Sequence, residues 1–230
     1  MLLYQEKDGF LFNSDSHYLY DFISKLSPKG SVLDVGSGCG ILGLLVARDF
    51  DVSLTSIDIQ KNSAFLTAQN AKANALECEA LCGDFLEYEF DKKFDFIISN
   101  PPYYHSEVIK SENKKLYISR YEENLKLEKF IKKAKTLLKN RGHLVFCHDS
   151  KEIDTIMSVL KQNKLNPVDV RFVHGNLQKQ SHLVFIHSRV SSKSPTTIHP
   201  PLIATIDGEF SDEVKGIYQK TSTHSIKCSL

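Results

Sequence analysis

Three features that would settle the class of a protein at once are missing from this 230-residue sequence: a paired-cysteine motif, a long apolar run, and an excess of charge of either sign. Cys39, Cys78, Cys82, Cys147 and Cys228 are odd in number and form no Cys-x-x-Cys, which argues against a disulfide framework and a zinc ribbon. Cys78 and Cys82 flank a short apolar stretch that reads as a strand, where free cysteine behaves as a small core hydrophobe. The histidines are scattered and none forms a His-Glu-x-x-His pair, so no metal is expected. The longest apolar run, Ile41 to Ala47 broken by Gly43, is far shorter than the ~18 to 20 residues that span a bilayer. Acidic residues at Glu6 and Asp8 interrupt the N-terminus too early for a secretory signal, which points to the cytoplasm. The 29 basic and 28 acidic side chains exclude a histone-like or an acidic solvating protein. A nucleic-acid partner would have to be met by a local patch.

What is present is alternation. Strand-like runs at 31–35, 52–58, 77–82, 94–99 and 143–148 are separated by helix-like runs at 41–47, 62–73, 125–139 and 151–162. That order predicts βαβ crossovers and a doubly wound α/β fold, with helices on both faces of a mostly parallel sheet. After Pro167, runs at 168–174 and 182–188 leave no room for a helix and are expected to pair antiparallel. Ahead of the alternation, residues 1–30 read as a hairpin about Lys7-Asp8-Gly9, then a helix capped by Ser14 or Asp15 with Tyr18, Leu19, Phe22, Ile23 and Leu26 on its apolar face. Residues 31–188 form the main domain. The last stretch, 189–230, reads as a short extension with a helix near Asp212 to Gln219.

The segment Val32-Leu33-Asp34-Val35-Gly36-Ser37-Gly38-Cys39-Gly40 is a strand that ends in three alternating glycines and enters a helix. Glycine permits the tight turn and lets a ligand approach the main chain. A nicotinamide dinucleotide would call for glycine at position 41, where Ile41 stands, and the phosphate-loop Gly-Lys-Ser/Thr is absent. S-adenosylmethionine is the remaining common ligand of Asp-x-Gly-x-Gly-x-Gly, although a tight strand-to-helix turn would account for the glycines alone. Two later acids favour the ligand. Asp58 ends the next strand at a spacing suited to accepting both ribose hydroxyls. Asp84, at the end of the third, is placed to accept from the adenine amino group, with Phe85 covering the ring. Such acids also cap helices, but three at successive strand ends lie on the side where open α/β sheets bind ligands.

The fourth strand runs into Asn100-Pro101-Pro102-Tyr103. Each proline fixes its own backbone and forces its predecessor out of the helical region, so the chain leaves the strand rigid and extended. The Asn100 side-chain oxygen and the Pro101 carbonyl can accept both hydrogens of one planar amino group. An amine on an sp² centre is the target they suit. Its lone pair is delocalised, and two acceptors shift charge onto nitrogen and aim it, so no strongly perturbed base is needed. Tyr103 supplies a face for an unpaired base to stack on.

With both motifs the sequence resembles the class I S-adenosylmethionine-dependent methyltransferases that methylate amino groups through Asn-Pro-Pro-Tyr. The resemblance implies a Rossmann-like, seven-stranded sheet with the antiparallel pair at its end. It also implies a substrate amine held by Asn100 and Pro101, with cofactor-binding positions at Asp34, Gly36, Gly38, Gly40, Asp58 and Asp84; Ser37 of the loop and Phe85 after the third acid complete the expected cofactor-binding set. Release-factor glutamine methyltransferases carry a separate helical domain before the glycine loop, where only about 30 residues stand here, and DNA adenine methyltransferases usually carry a target-recognition region. The layout is most similar to the bacterial tRNA(Val) adenine-N6 methyltransferase family, with Phe10-Leu11-Phe12-Asn13-Ser14-Asp15, Arg120-Tyr121-Glu122-Glu123 and Pro200 to Lys220 as weaker likenesses. Ser14 stands where that family usually has Thr. The implied partner is RNA, with tRNA first. Methylation of a protein glutamine and a non-catalytic cofactor- or RNA-binding module are the alternatives, and oligomeric state is open with a monomer as the default. Between Glu107 and Arg141, eleven Lys or Arg stand against five Glu, which suits RNA phosphates. The same stretch holds the apolar stripe Leu127, Phe130, Ile131, Ala134, Leu137 and Leu138, so its lysines also fit a solvated helix face.

Overall fold

The computed structural model describes residues 1–7, 11–101 and 126–230. Strand β1 (Leu2–Glu6) and helix α1 (Ser14–Ser24) lead into the alternating part. There β2 (Gly30–Val35), α2 (Ile41–Asp49), β3 (Val52–Asp58), α3 (Lys61–Ala73), β4 (Glu79–Cys82) and β5 (Phe94–Ser99) follow one another. Next come α4 (Leu127–Leu137), β6 (Leu138–Asp149), α5 (Ile153–Gln162), β7 (Leu165–Asn176) and β8 (Ser181–Val190). The described residues end in β9 (Thr197–Ile198), β10 (Leu202–Ile206), β11 (Glu209–Phe210), α6 (Asp212–Thr221) and β12 (His224–Cys228).

The seven central strands lie in the order β4-β3-β2-β5-β6-β8-β7. The first four pairings are parallel, whereas β8 runs antiparallel to both neighbours. An in-and-out alternation does not mark the middle of this sheet: β2 and β5 bury most of their side chains in unbroken runs, as strands covered on both faces do. One core joins α1, α2 and α6 to the sheet through Leu19, Phe22, Leu44, Leu45, Phe185 and Ile217. A second, on the other face, joins α4 and α5 through Phe130, Ile131, Ile156 and Leu160. No helix among the described residues is long and apolar enough to cross a membrane.

The two ends of the sequence behave differently from expectation. In place of a hairpin with Phe10-Leu11-Phe12, β1 pairs parallel with β12, from Leu2 opposite His224 to Glu6 opposite Cys228. The Gln5 side chain takes the Phe12 amide at 2.8 Å, and Leu11 and Phe12 form no strand; the proposed turn residues 8–10 lie outside the described residues. Asn13, not Ser14 or Asp15, caps α1, its side-chain oxygen accepting the Asp15 amide at 3.1 Å. The extension joins the sheet. It adds β10 parallel to β7, and Arg171 reaches it with Nε donating to the Pro200 carbonyl at 3.0 Å and Nη2 to both carboxylate oxygens of Glu213 at 2.7 and 2.8 Å.

A physical reason lies in α1, which is buried from Asp15 to Ser24 although several of those residues are polar. Three of them find partners on α6: His17 meets Thr221 Oγ1 at 3.0 Å, and Lys220 reaches Asp21 at 3.2 Å and Ser24. Buried polar groups need such partners, so α1 and α6 complete each other. Cys82 is exposed, against the core role expected of it, because the short edge strand β4 leaves its end uncovered. Cys78 is half-buried and donates to Ser56 Oγ at 3.4 Å.

Candidate active site

The register aligns the carboxyl ends of four strands. Val35 lies opposite both Ile57 and Ser99, and Asp58 lies opposite Cys82, so the segments that follow leave from one edge of the sheet. Three hydrogen bonds fasten this edge. Ser99 Oγ donates to the Val35 carbonyl at 2.7 Å, the Gly83 amide to the Asp58 carbonyl at 2.9 Å, and the Gly36 amide to the Ile57 carbonyl at 2.9 Å.

Within the glycine loop the three glycines do different jobs. A Cβ built on Gly36 or Gly38 would enter open space, whereas one on Gly40 would stand 2.9 Å from Thr67 Cγ2. Gly40 is therefore needed for packing against α3, and the other two keep an open surface of main chain. The loop is held from behind by α3, where Thr67 donates to the Gly38 carbonyl at 3.1 Å and Asn70 to the Cys39 carbonyl at 2.8 Å. Ser37 also points to this support, its hydroxyl 3.2 Å from that of Thr67. Neither Thr67 nor Asn70 was singled out from sequence, although two polar residues on the buried face of α3, three apart, are a readable signal.

The acids divide as well. Asp34, only 1% exposed, accepts the Gly43 amide in the first turn of α2 at 2.9 Å. Burial pushes its carboxyl up to about 7, against the help of that amide. It serves the loop from inside and presents no surface to a ligand. Asp58 is 8% exposed and accepts the amides of Gly38 and Gln60, each at 2.8 Å. Desolvation raises it to about 6 despite those bonds and one from Ser63. Asp84, half-buried, accepts the Leu86 amide at 2.8 Å and so shapes the turn after β4.

Phe85 corrects an expectation. Its ring is 5% exposed and lies in the second core, with ring centroids 5.8 Å from Phe130 and 6.3 Å from Phe90. The aromatic cluster claims it. Ile59, directly after Asp58, is an apolar side chain left 50% exposed, and it was not singled out from sequence.

Asn100 emerges from β5 half-buried, and Pro101 follows it buried. Its amide nitrogen donates to Ser16 Oγ at 3.1 Å, and its amide oxygen accepts from Cys147 Sγ at 2.8 Å. Pro102 and Tyr103 of the tetrad lie outside the described residues, as do Arg120 to Glu123 and the part of the basic stretch before Lys126. On α4, Lys129 and Lys132 are exposed on the face opposite the buried stripe.

Residues 13–163 match the family model described as the methyltransferase small domain. The chain belongs to that family. An adenine(37)-N6-methyltransferase of tRNA1(Val) from Flavobacterium johnsoniae is 26% identical over 196 residues, 81% of this chain and 83% of the relative. A protein of the same name from Porphyromonas gingivalis is 32% identical over 129 residues, 51% of this chain and 50% of its own length. Among solved structures, a predicted O-methyltransferase from Agrobacterium tumefaciens superposes with a TM-score of 0.69, covering 93% of this chain and 99% of that one at 16% identity. A Thermus thermophilus 16S rRNA N2 G1207 methyltransferase, determined with S-adenosylmethionine and guanosine, has a TM-score of 0.57 at 19% identity over 80% of this chain and 44% of its own. This methyltransferase family member takes S-adenosylmethionine as methyl donor, and the open main chain at Gly36 and Gly38 fits that group.

Proposed function

We propose that this methyltransferase transfers a methyl group to the exocyclic N6 amine of an adenosine in RNA, in tRNA near the anticodon. The observation that carries the reading is Asn100 followed by buried Pro101 at the end of β5, on the same sheet edge as the glycine loop and Asp58. The shared name of the relatives supports tRNA as the substrate.

S-adenosylmethionine supplies an electrophilic methyl on a sulfonium. Gly36 and Gly38 offer backbone to its methionyl part, Asp58 accepts from the ribose hydroxyls, Asp84 lies on the adenine side, and Ile59 covers the ring in the place first given to Phe85. Asn100 Oδ1 and the Pro101 carbonyl accept the two hydrogens of the substrate amine, which draws charge onto nitrogen and orients its lone pair. Pro101 has no amide hydrogen to compete for either acceptor. Pro102 stiffens the segment and Tyr103 stacks on the extruded base. Solvated lysines of α4 contribute to holding phosphates, in a monomer acting in the cytoplasm.

Transfer of labelled methyl to unmodified tRNA, duplex DNA and peptide release factor, with nucleoside analysis, tests this reading. Label recovered as N6-methyladenosine in tRNA is the expected result. Label in the protein alone would establish glutamine methylation, and none in any pool would sink the reading.

A further inference from the structure

The two ends of an asparagine amide have nearly the same shape and opposite hydrogen-bonding character, so an asparagine that must present its oxygen needs something to fix its orientation. Asn100 is such a residue in the reading above, on which this inference rests. Its nitrogen meets Ser16 on α1 at 3.1 Å, and its oxygen meets Cys147 on β6 at 2.8 Å. Both partners are buried, Cys147 completely.

The thiol can serve only one way well. Burial, with Asp15 acting in the same direction, holds Cys147 well above the ordinary thiol range, so it keeps its hydrogen and donates. A half-turn of the amide would set NH2 against sulfur, a weak acceptor, in place of an S–H to carbonyl oxygen contact. The carbonyl oxygen has two lone pairs, so accepting from Cys147 leaves one for an incoming amine. Ser16 contributes the second anchor from a helix that precedes the glycine loop in sequence.

We infer that Ser16 and Cys147 are positioning residues that fix the Asn100 amide with its oxygen toward the substrate amine. Neither touches substrate or cofactor. They act through Asn100: the Cys147 thiol keeps one of two amide orientations populated, and the Ser16 hydroxyl anchors the side chain in place. The N-terminal helix is thereby part of the catalytic arrangement, and so is a cysteine whose burial alone would suggest mere packing.

The test uses the full chain with Ser16→Ala, Cys147→Ala and Cys147→Ser, each checked for folding by circular dichroism. Losing one positioning hydrogen bond is expected to lower kcat by about threefold to tenfold, with affinity for S-adenosylmethionine and KM for tRNA unchanged. Cys147→Ser retains a donor and is expected to recover most of the kcat lost in Cys147→Ala. Unchanged kcat in both alanine variants, or serine no better than alanine at position 147, would overturn the inference. If the Cys147 variants do not fold, Ser16→Ala decides by the same kcat criterion. Asn100→Ala run in parallel separates the two levels: full activity there removes the proposed clamp itself, whereas its inactivity beside fully active Ser16→Ala and Cys147→Ala removes only the positioning role. A readout independent of turnover is the Asn100 side-chain NH2 resonance pair, which should shift in Ser16→Ala and Cys147→Ala without substrate; no shift in either overturns the inference even if tRNA proves not to be the substrate.

Discussion

Gly38 donates its amide hydrogen to Asp58 Oδ2 at 2.8 Å, joining the loop after β2 to the acid that ends β3. The same carboxylate therefore shapes the glycine loop and, in the proposed function, accepts from the ribose. Asp58→Ala is expected to weaken S-adenosylmethionine binding by about tenfold or more, the order of one charged hydrogen-bond partner lost. Calorimetry checks this, and unchanged affinity would remove the ribose assignment. Because burial holds the Asp58 carboxyl up at about 6, affinity should fall as pH drops through that value, where the carboxylate is lost, and level off above about pH 7.

Asp34 gives a stability prediction with a definite sign. Its folded-state value of about 7 lies above that of an unfolded aspartate, so the folded protein binds more protons between about pH 4 and 7 and loses stability as pH rises through that window. Asp34→Asn keeps an acceptor for the Gly43 amide and carries no buried charge. The variant should be more stable by about 2 to 4 kcal/mol at pH 8, with the gain shrinking toward pH 5. Denaturant unfolding across that range is the measurement.

Gly38→Ala and Gly40→Ala should fail in different ways. Both positions have positive φ, +58° and +85°, but only at Gly40 does the new Cβ strike Thr67. Gly40→Ala is expected to cost about 2 to 3 kcal/mol of stability from strain and overpacking. Gly38→Ala should cost about 1 kcal/mol while lowering cofactor affinity at least tenfold, because its Cβ fills the surface left open for the ligand. Unfolding and calorimetry on the same two proteins separate the cases.

Arg171→Ala should loosen the C-terminal segment. The guanidinium is buried and holds both Glu213 and the Pro200 carbonyl, and its removal is expected to cost about 1 to 3 kcal/mol. Hydrogen exchange should rise in residues 197–221 before it rises in β2 or β5. Uniform exchange across the chain would contradict this.

The central sheet was legible because buried parallel strands and amphipathic helices leave local patterns, as in β5 with Phe94 to Ser99 and in the Leu127 to Leu137 stripe of α4. The order of features along one edge of the sheet was legible for the same reason, since glycines and acids punctuate strand ends. Direction of a side chain was not. Nothing local tells that Asp34 turns into the first turn of α2 or that Phe85 joins Phe90 and Phe130. Partners far apart in sequence were hidden too: Leu2–Glu6 looks like half of a hairpin, and its actual partner lies more than two hundred residues away at His224–Cys228.

The pairing of β1 with β12 has a bearing on synthesis. A nascent chain is made from its N-terminus, so Leu2–Glu6 waits without its strand partner until His224–Cys228 has left the ribosome. The same delay applies to α1, whose buried His17, Asp21 and Ser24 find Thr221 and Lys220 only then. The Rossmann-like core can assemble earlier from its neighbouring strands and helices, and emergence of residues 220–228 closes the clasp that seats α1 beside Asn100.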